Sequence, residues 1–411
     1  MKIKELEGKK ILIVGYGKEG KATEMFLKTQ VPSAQVTVID QTQGANYLDH
    51  QNEFDLAIKS AGIHADVLKI PYTTATNIFF ANVKGMTIGV TGTKGKSTTT
   101  SLIYAILKQS GKKAHLVGNI GYPMLPELLL TNTEEDIWVC ELSSYQLSDI
   151  AYSPHIGVMV SLFPEHMDYH GGVEQYYQAK AHLVARMTSD DYFVYNPDFE
   201  KLKEIAQETQ AKSVPFVEVL PFPNSIIPLL GQHNHNNVRG AVTVGDLLGV
   251  SEADMEEAVR NFKALPHRLQ QVGKYKNIIF VDDAISTTPE STLAALEAVP
   301  EVGTIMLGGQ DRGYDFGDLV AKLAEEQIPN IVLFPESGDT IRKELEKYAT
   351  YYPHVLETTS MQEAVQFAYQ NTPEGMVCLL STASPSYSIW KNFEEKGDEF
   401  QRIVKELGER E

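Results

Sequence analysis

Cysteine is nearly absent: Cys140 and Cys378 are the only two in 411 residues. Each lies inside an apolar run, so two buried reduced thiols are expected, not a disulfide framework or a cysteine-built metal knuckle. Positive charge is also short. Lys and Arg number 36 against 54 Asp and Glu, a formal charge of −18, which repels polyanions and argues against nucleic acid or an anionic membrane as the main partner. No run of 18 apolar residues occurs, and the opening Met1-Lys-Ile-Lys-Glu-Leu-Glu lacks the apolar core of a signal peptide; a cytoplasmic protein without a membrane partner is the expectation. Repeats and low-complexity tracts are missing too. What remains is an ordinary globular composition, 43% hydrophobic and 22% charged, long enough for two to four domains at roughly 100–200 residues each. Any phosphate site in so acidic a chain has to be built locally.

Short runs rich in Val and Ile recur between helical patterns, the mark of parallel sheets with crossover helices. KILIV at 10–14 and QVTVI at 35–39 open one α/β unit. A second starts at 86–90 and continues through 137–142 and 156–162, with a helix over 97–110. A third starts at 278–281 and takes in 304–307, 331–334 and 376–380. Pro- and Thr-bearing residues 70–84 and the segment 264–268 mark the joints. Residues 215–228 form a proline-rich connection inside the middle unit.

Thr91-Gly-Thr-Lys-Gly-Lys-Ser-Thr98 is the strongest chemical signal. Between a strand and a helix, such a turn surrounds phosphate oxygens with backbone N–H groups and the positive end of the helix. Lys96 then reaches the β/γ-phosphates and Ser97 ligates Mg²⁺. Gly92, Thr93, Lys94, Gly95 and Thr98 complete the loop. It is not a strict Walker A, because Val90 replaces the glycine five residues before Gly95. A carboxylate at the C-terminal edge of the strand at 137–142, Glu141, stands where an α/β nucleotide site needs a hard oxygen ligand for Mg²⁺. His166 and His170 are spaced for zinc, but Gly171-Gly172 breaks the helix and no third ligand is evident, so zinc is not expected. Gly15-Tyr-Gly-Lys-Glu-Gly20 follows the first strand, with Asp40 ending the second. On its own this G-x-G-x-x-G turn suits NAD or the diphosphate of a UDP-sugar.

The loop TGTxGKST resembles that of the Mur ligase family, and the resemblance spans all three units. Residues 379–397, LLSTASPSYSIWKNFEEKG, are similar to the family's LLSPACASxDxFxNFExRG. ELSSYQ at 141–146 resembles ELSSFQ, and PEHMD at 164–168 resembles EDHMD, with Glu165 where the family prefers Asp and Ser161 where it prefers Asn. The resemblance implies three domains: a Rossmann-like UDP-binding domain at 1–84, a central P-loop ATPase-like domain at 85–265 and a Rossmann-like glutamate-binding domain at 266–411. It implies Glu141 and His166 as Mg²⁺ ligands with Ser97, and Lys180 as a lysine carbamylated by CO₂, an anionic ligand. On that view Lys96, His166 and Lys180 carry the catalysis.

Further roles follow from the same likeness. Gly15, Tyr16 and Lys18 would bind the UDP-muramoyl substrate. Asn119, in GNIGYP at 118–123, would contact it, helped by Ser143 and Gln146, although turn chemistry and a helix cap explain the last two equally. Asn234 and Asn237, in GQHNHNN at 231–237, would recognise adenine; Arg268 of the LPHR joint would reach ATP phosphate, and Asp283 would lie near the ribose. A glutamate acceptor needs cations and hydroxyls aimed at two carboxylates. Arg312 stands where the family has a carboxylate-binding Lys, and Thr287, Ser386, Tyr387 and Phe393 match other acceptor contacts. Here the chain departs most: Ile285 replaces a usual Lys, and Ser384-Pro-Ser386 replaces CAS. The expected activity is ATP- and Mg²⁺-dependent addition of D-glutamate to UDP-N-acetylmuramoyl-L-alanine by a monomer acting on small molecules. An L-glutamate-adding variant, a folylpolyglutamate synthase-like ligase, a P-loop switch and an NAD-binding Rossmann protein are the alternatives.

Overall fold

The computed structural model describes residues 1–165 and 167–409. Its strands make three sheets, and nearly every pair is parallel. The first sheet holds β1 (Lys10–Val14), β2 (Gln35–Ile39), β3 (Leu56–Lys59) and β4 (Tyr72–Thr74) in the order β2-β1-β3-β4. The second holds β5 (Met86–Thr91), β6 (Ala114–Gly118), β7 (Ile137–Glu141), β8 (Ile156–Met159), β9 (Tyr192–Tyr195) and β10 (Lys212–Pro215), ordered β10-β9-β8-β5-β7-β6. In the third, β11 (Gln270–Tyr275), β12 (Ile278–Asp282), β13 (Val302–Gly308), β14 (Asn330–Phe334), β15 (His354–Glu357) and β16 (Val377–Leu380) run β11-β12-β16-β13-β14-β15, and β11 alone is antiparallel. Central strands are apolar on both faces because helices cover both sides; all seven residues of β13 are buried.

The α/β reading of the sequence is what the chain adopts. It left unnamed the strands β3, β4, β6, β9, β10, β11 and β15. Residues 70–84, read as a joint, contain β4 and the buried helix Ala75–Asn82. Both cysteines are buried free thiols, and burial raises the pKa of each. Among the described residues no helix is long and apolar enough to cross a membrane.

The residues group into two compact units. One comprises Met1–Ile227 with His233–Phe262 and carries the first two sheets; the other carries the third. Within the first unit a buried polar clamp joins the two sheets' layers. Lys59, at the end of β3 and 1% exposed, places its ammonium 2.6 Å from Asp149 Oδ2 and 2.8 Å from the Ile63 carbonyl. Tyr72 donates to the other Asp149 oxygen at 3.0 Å, and the Asn77 side chain bonds the Asp149 carbonyl and the Ala151 N–H. A buried lysine with both a carboxylate and a carbonyl is satisfied; removing either partner would strand a charge.

Candidate functional site

β5 runs into the loop 92–95, and the helix Lys96–Gln109 begins at once, with Gly95 at φ 85° as its cap. A Cβ on Gly95 would lie 2.3 Å from Asn237 Oδ1 and 2.8 Å from Val160 Cγ1, so only glycine fits this left-handed turn. Neighbouring segments hold the loop's shape. The Ser161 hydroxyl accepts from Lys94 N–H and donates to the Lys94 carbonyl, both at 2.9 Å, while the Ser161 carbonyl accepts from Thr93 N–H at 2.9 Å. The Thr93 hydroxyl takes bonds from Phe163 N–H and the Tyr176 phenol and gives its own to the Phe163 carbonyl. Lys94 pairs with Glu165 at 2.5 Å. Both departures noted in the sequence, Ser161 and Glu165, therefore buttress the loop.

Two lysines converge on one carbonyl oxygen. Lys96 Nζ donates to Gly92 O at 2.9 Å and Thr93 O at 2.8 Å; Lys180 Nζ donates to the same Gly92 O at 2.8 Å and lies 3.4 Å from Thr91 Oγ1. Lys180 is 1% exposed. Burial, and next the charge of Lys96, hold its ammonium well below the usual lysine range. A shift in that direction raises the share of free amine, the form that reacts with CO₂. Glu141, at the end of β7, is fully buried; Oε1 accepts from the Asn119 amide at 3.0 Å, and Oε2 has no hydrogen-bond partner. An orphaned buried carboxylate oxygen suits a hard dication. The Glu141 oxygen and the hydroxyl of Ser97, in the helix's first turn, are oxygen donors of the kind Mg²⁺ takes. Among the described residues no group of three His, Cys, Asp or Glu forms a metal cluster, and His166 lies outside the described residues. His170 bonds Ser144 Oγ at 3.0 Å and packs among the rings of Tyr145, Tyr169 and Tyr176.

Asn237 reaches this loop as well, with Asn234 behind it. The Asn237 amide donates to Asn234 Oδ1 at 2.7 Å, and its carbonyl accepts from Thr99 at 3.3 Å. Both are buried, so Asn237 presses on the phosphate loop's helix, a supporting contact that the adenine assignment did not anticipate.

A cavity of the first unit gathers Lys18, Asn119, Ser143 and Gln146. Ser143 and Gln146 form a capping box on the helix Ser144–Ser148, which is the helix-cap reading of the two, and both line the cavity. Gly20 lets the helix Lys18–Gln30 approach β1, since a Cβ there would lie 2.1 Å from Gly15 O. Gly15 and Tyr16 shape the turn without lining the cavity; Tyr16 N–H donates to Asp40 Oδ2 at 2.7 Å. Glu19 lines the cavity, and burial raises its pKa. The sequence reading missed Glu19, although it sits inside the glycine turn.

In the second unit, Arg268 Nε and Ser386 Oγ are buried without hydrogen-bond partners. Asp283 accepts from Ser381 Oγ at 2.8 Å and Leu269 N–H at 3.2 Å, and burial pushes it up to about 6. Arg312 is exposed, bonds Gln310 Oε1 at 3.2 Å and lies over the Tyr387 ring, 6.0 Å from its centroid. Thr287 and Phe393 are half-buried, the latter edge-on to His267 at 6.2 Å. Sequence reasoning passed over Asp282, which pairs with His267 Nδ1 at 2.7 Å, and the fully buried Lys396. Nothing in a sequence marks a lysine as buried.

The model of the Mur ligase middle domain matches residues 90–220, and that of the Mur ligase glutamate ligase domain matches residues 267–383. The chain is 32% identical to the UDP-N-acetylmuramoylalanine--D-glutamate ligase of Streptococcus thermophilus, covering 98% of this chain and 99% of that one. The ligase of the same name from Ligilactobacillus salivarius is also 32% identical, over 99% and 98%. Among solved structures, UDP-N-acetylmuramate-alanine ligase MurC of Thermotoga maritima superposes with a TM-score of 0.63 at 17% identity over 97% of this chain and all of that one. The MurF ligase of the same organism, in complex with ADP, gives 0.60 at 16% identity over 98% and 97%.

Proposed function

The chain belongs to the Mur ligase family, and from that membership we propose that it joins D-glutamate to UDP-N-acetylmuramoyl-L-alanine at the expense of ATP, a step of peptidoglycan precursor synthesis. Curated relatives with that name align along the whole chain, and the phosphate loop with its two lysines and Glu141 supplies the chemistry. The observation that carries the reading is Gly92 O shared by Lys96 and Lys180 beside the orphaned Glu141 oxygen. The joints we propose fall at 84/85 and 265/266, and the working form is a cytoplasmic monomer.

The alanyl carboxylate attacks the γ-phosphorus of ATP; ADP leaves and an acyl phosphate forms. The glutamate amine then attacks the acyl carbon, loses a proton, and expels phosphate. Little covalent help is needed from protein, so positioning and charge neutralisation dominate. Lys96, with the N–H groups of residues 92–98, stabilises charge on the transferring phosphoryl group. Mg²⁺ held by Ser97, Glu141, a carbamate on Lys180 and His166 would supply Lewis-acid neutralisation of phosphate charge. Lys18, Asn119, Ser143 and Gln146 hold the UDP-muramoyl substrate, with Gly15 and Tyr16 shaping the turn. Asn234, Asn237, Arg268 and Asp283 serve ATP, and Thr287, Arg312, Ser386, Tyr387 and Phe393 take the amino acid.

The test is phosphate release with UDP-N-acetylmuramoyl-L-alanine, ATP and either glutamate enantiomer. Release with D-glutamate alone is expected. Preference for the L form would reassign the acceptor, and Ile285, in place of a lysine, is the residue that would then be examined first.

A further inference from the structure

Four segments of the second unit meet at Thr382. Its hydroxyl lies 3.1 Å from the Ser384 carbonyl and 3.4 Å from the Ser286 carbonyl, positioned to donate to either. Its own carbonyl accepts from Gly308 N–H at 2.9 Å. Lys396 Nζ donates to the hydroxyl oxygen at 2.5 Å. Each segment leads directly to a residue assigned above to the amino acid. Ser286 precedes Thr287, Ser384 lies two residues before Ser386, Gly308 opens the loop to Arg312, and Lys396 is one helical turn beyond Phe393. Thr382 and Lys396 are each 0% exposed. As an ammonium, Lys396 has three donors and no acceptor, so in that form its bond to Thr382 uses the hydroxyl's lone pair and commits the hydroxyl proton to a carbonyl.

A lysine amine taken wholly out of water is expensive and persists only with partners. Asp282 and Asp283 supply nearby negative charge, yet burial still pulls Lys396 down to about 7. What it offers chemically is the donor it presents to Thr382. The partnerless buried hydroxyl of Ser386, two residues beyond one of the tethered carbonyls, shows that this loop presents a polar group the protein itself does not use.

We propose that Lys396 and Thr382 are positioning residues for the acceptor amino acid: their buried contact sets the mutual spacing of Thr287, Arg312, Ser386 and Phe393, and so tunes affinity for the two carboxylates of glutamate. The inference rests on the glutamate-ligase reading above and adds residues that touch no substrate.

Steady-state kinetics on the full chain test it. Thr382→Val keeps the side chain's shape and removes its hydroxyl. It should raise KM for glutamate about 10-fold or more, the scale of one charge-assisted hydrogen bond. KM for ATP and for UDP-N-acetylmuramoyl-L-alanine should stay within about 2-fold, a change too small to count as a lost hydrogen bond. Thr382→Ser, which restores the hydroxyl, should return KM for glutamate toward the wild-type value. Lys396→Met should reproduce the valine variant's selective defect; if it does not fold, the Thr382 pair decides. An unchanged KM for glutamate in Thr382→Val, or an equal rise for all three substrates with a lowered melting temperature, overturns the proposal in favour of a purely structural contact. Wild-type protein that ligates neither glutamate enantiomer brings down the underlying reading, and the inference with it, before any variant is made.

Discussion

The phosphate loop of the first unit and the amino-acid loops of the second are stabilised by different means. In the loop 92–95, conformation is fixed from outside by Ser161, Phe163 and Tyr176, and the groups we propose for phosphate are mainly backbone N–H donors at a helix start. In the second unit the residues we propose for the amino acid are side chains on four separate segments, and the buried Thr382 hydroxyl and carbonyl and the Lys396 Nζ bond among those segments. A backbone cradle tolerates variation in the residues around it, because every residue but proline carries the same donor. A side-chain cradle changes its specificity whenever one side chain changes.

The contrast can be broken first at the cation that the loop cannot replace. Lys96→Ala should lower kcat by about 1000-fold, the scale of losing a preorganised group at a developing charge, with the thermal melting temperature kept; retention of turnover would remove the loop from catalysis. Lys180→Met should cost about 100-fold in activity. If the lysine acts as a carbamate, added acetate should return part of the rate by lending a carboxylate, and no recovery would argue for a merely structural amine. In the second region Arg312→Ala should raise KM for glutamate about 10-fold, since a charged hydrogen bond is worth roughly 1.5–3 kcal/mol, while KM for ATP holds; equal change in both would reassign Arg312.

The smallest effects sharpen the same comparison through stability. Asp136 in the first unit is buried, which by itself would raise its pKa, but bonds from Thr133 N–H, His115, Thr131 and the Thr133 hydroxyl hold it at about 2. Below its unfolded value near 3.8 the unfolded chain binds the extra proton, so its stabilisation is complete above about pH 4 and lost as pH falls to 2. Asp283 in the second unit has the opposite sign. Burial raises it to about 6, the folded chain holds the proton, and stability falls as pH climbs from about 4 to 6. Denaturant midpoints across pH 2–7 should show Asp136→Asn flattening the acid limb and Asp283→Asn flattening the second. The same slope in both variants and wild type would contradict these assignments.

Legibility in the sequence tracks this division. The strand, loop and helix from 86 to 109 are contiguous, so glycine spacing and an apolar run suffice to place Lys96 and Ser97. Glu141 is readable because a strand ends there. The three-residue strand Tyr72–Thr74 and the antiparallel β11 are not, since neither carries enough apolar alternation to outvote loop chemistry. Thr382 and Lys396 are 14 residues apart and look like ordinary surface-capable residues; only the packing of the helix Phe393–Gly408 against β11 and β12 brings them together. Asn237 stands out in the sequence, but its bond to Thr99 and its closeness to Gly95 depend on a helix more than a hundred residues away.

The Lys59–Asp149 clamp has a consequence for the cavity that we propose takes the muramoyl substrate. Because that ion pair and the Asn77 bonds are internal to the first unit, Lys18 and Asn119 face the same cavity before any guest arrives. The walls are already in register, so little of the entropy of binding goes to assembling them. Lys59→Met would loosen that register and weaken capture of the nucleotide sugar with the phosphate loop untouched.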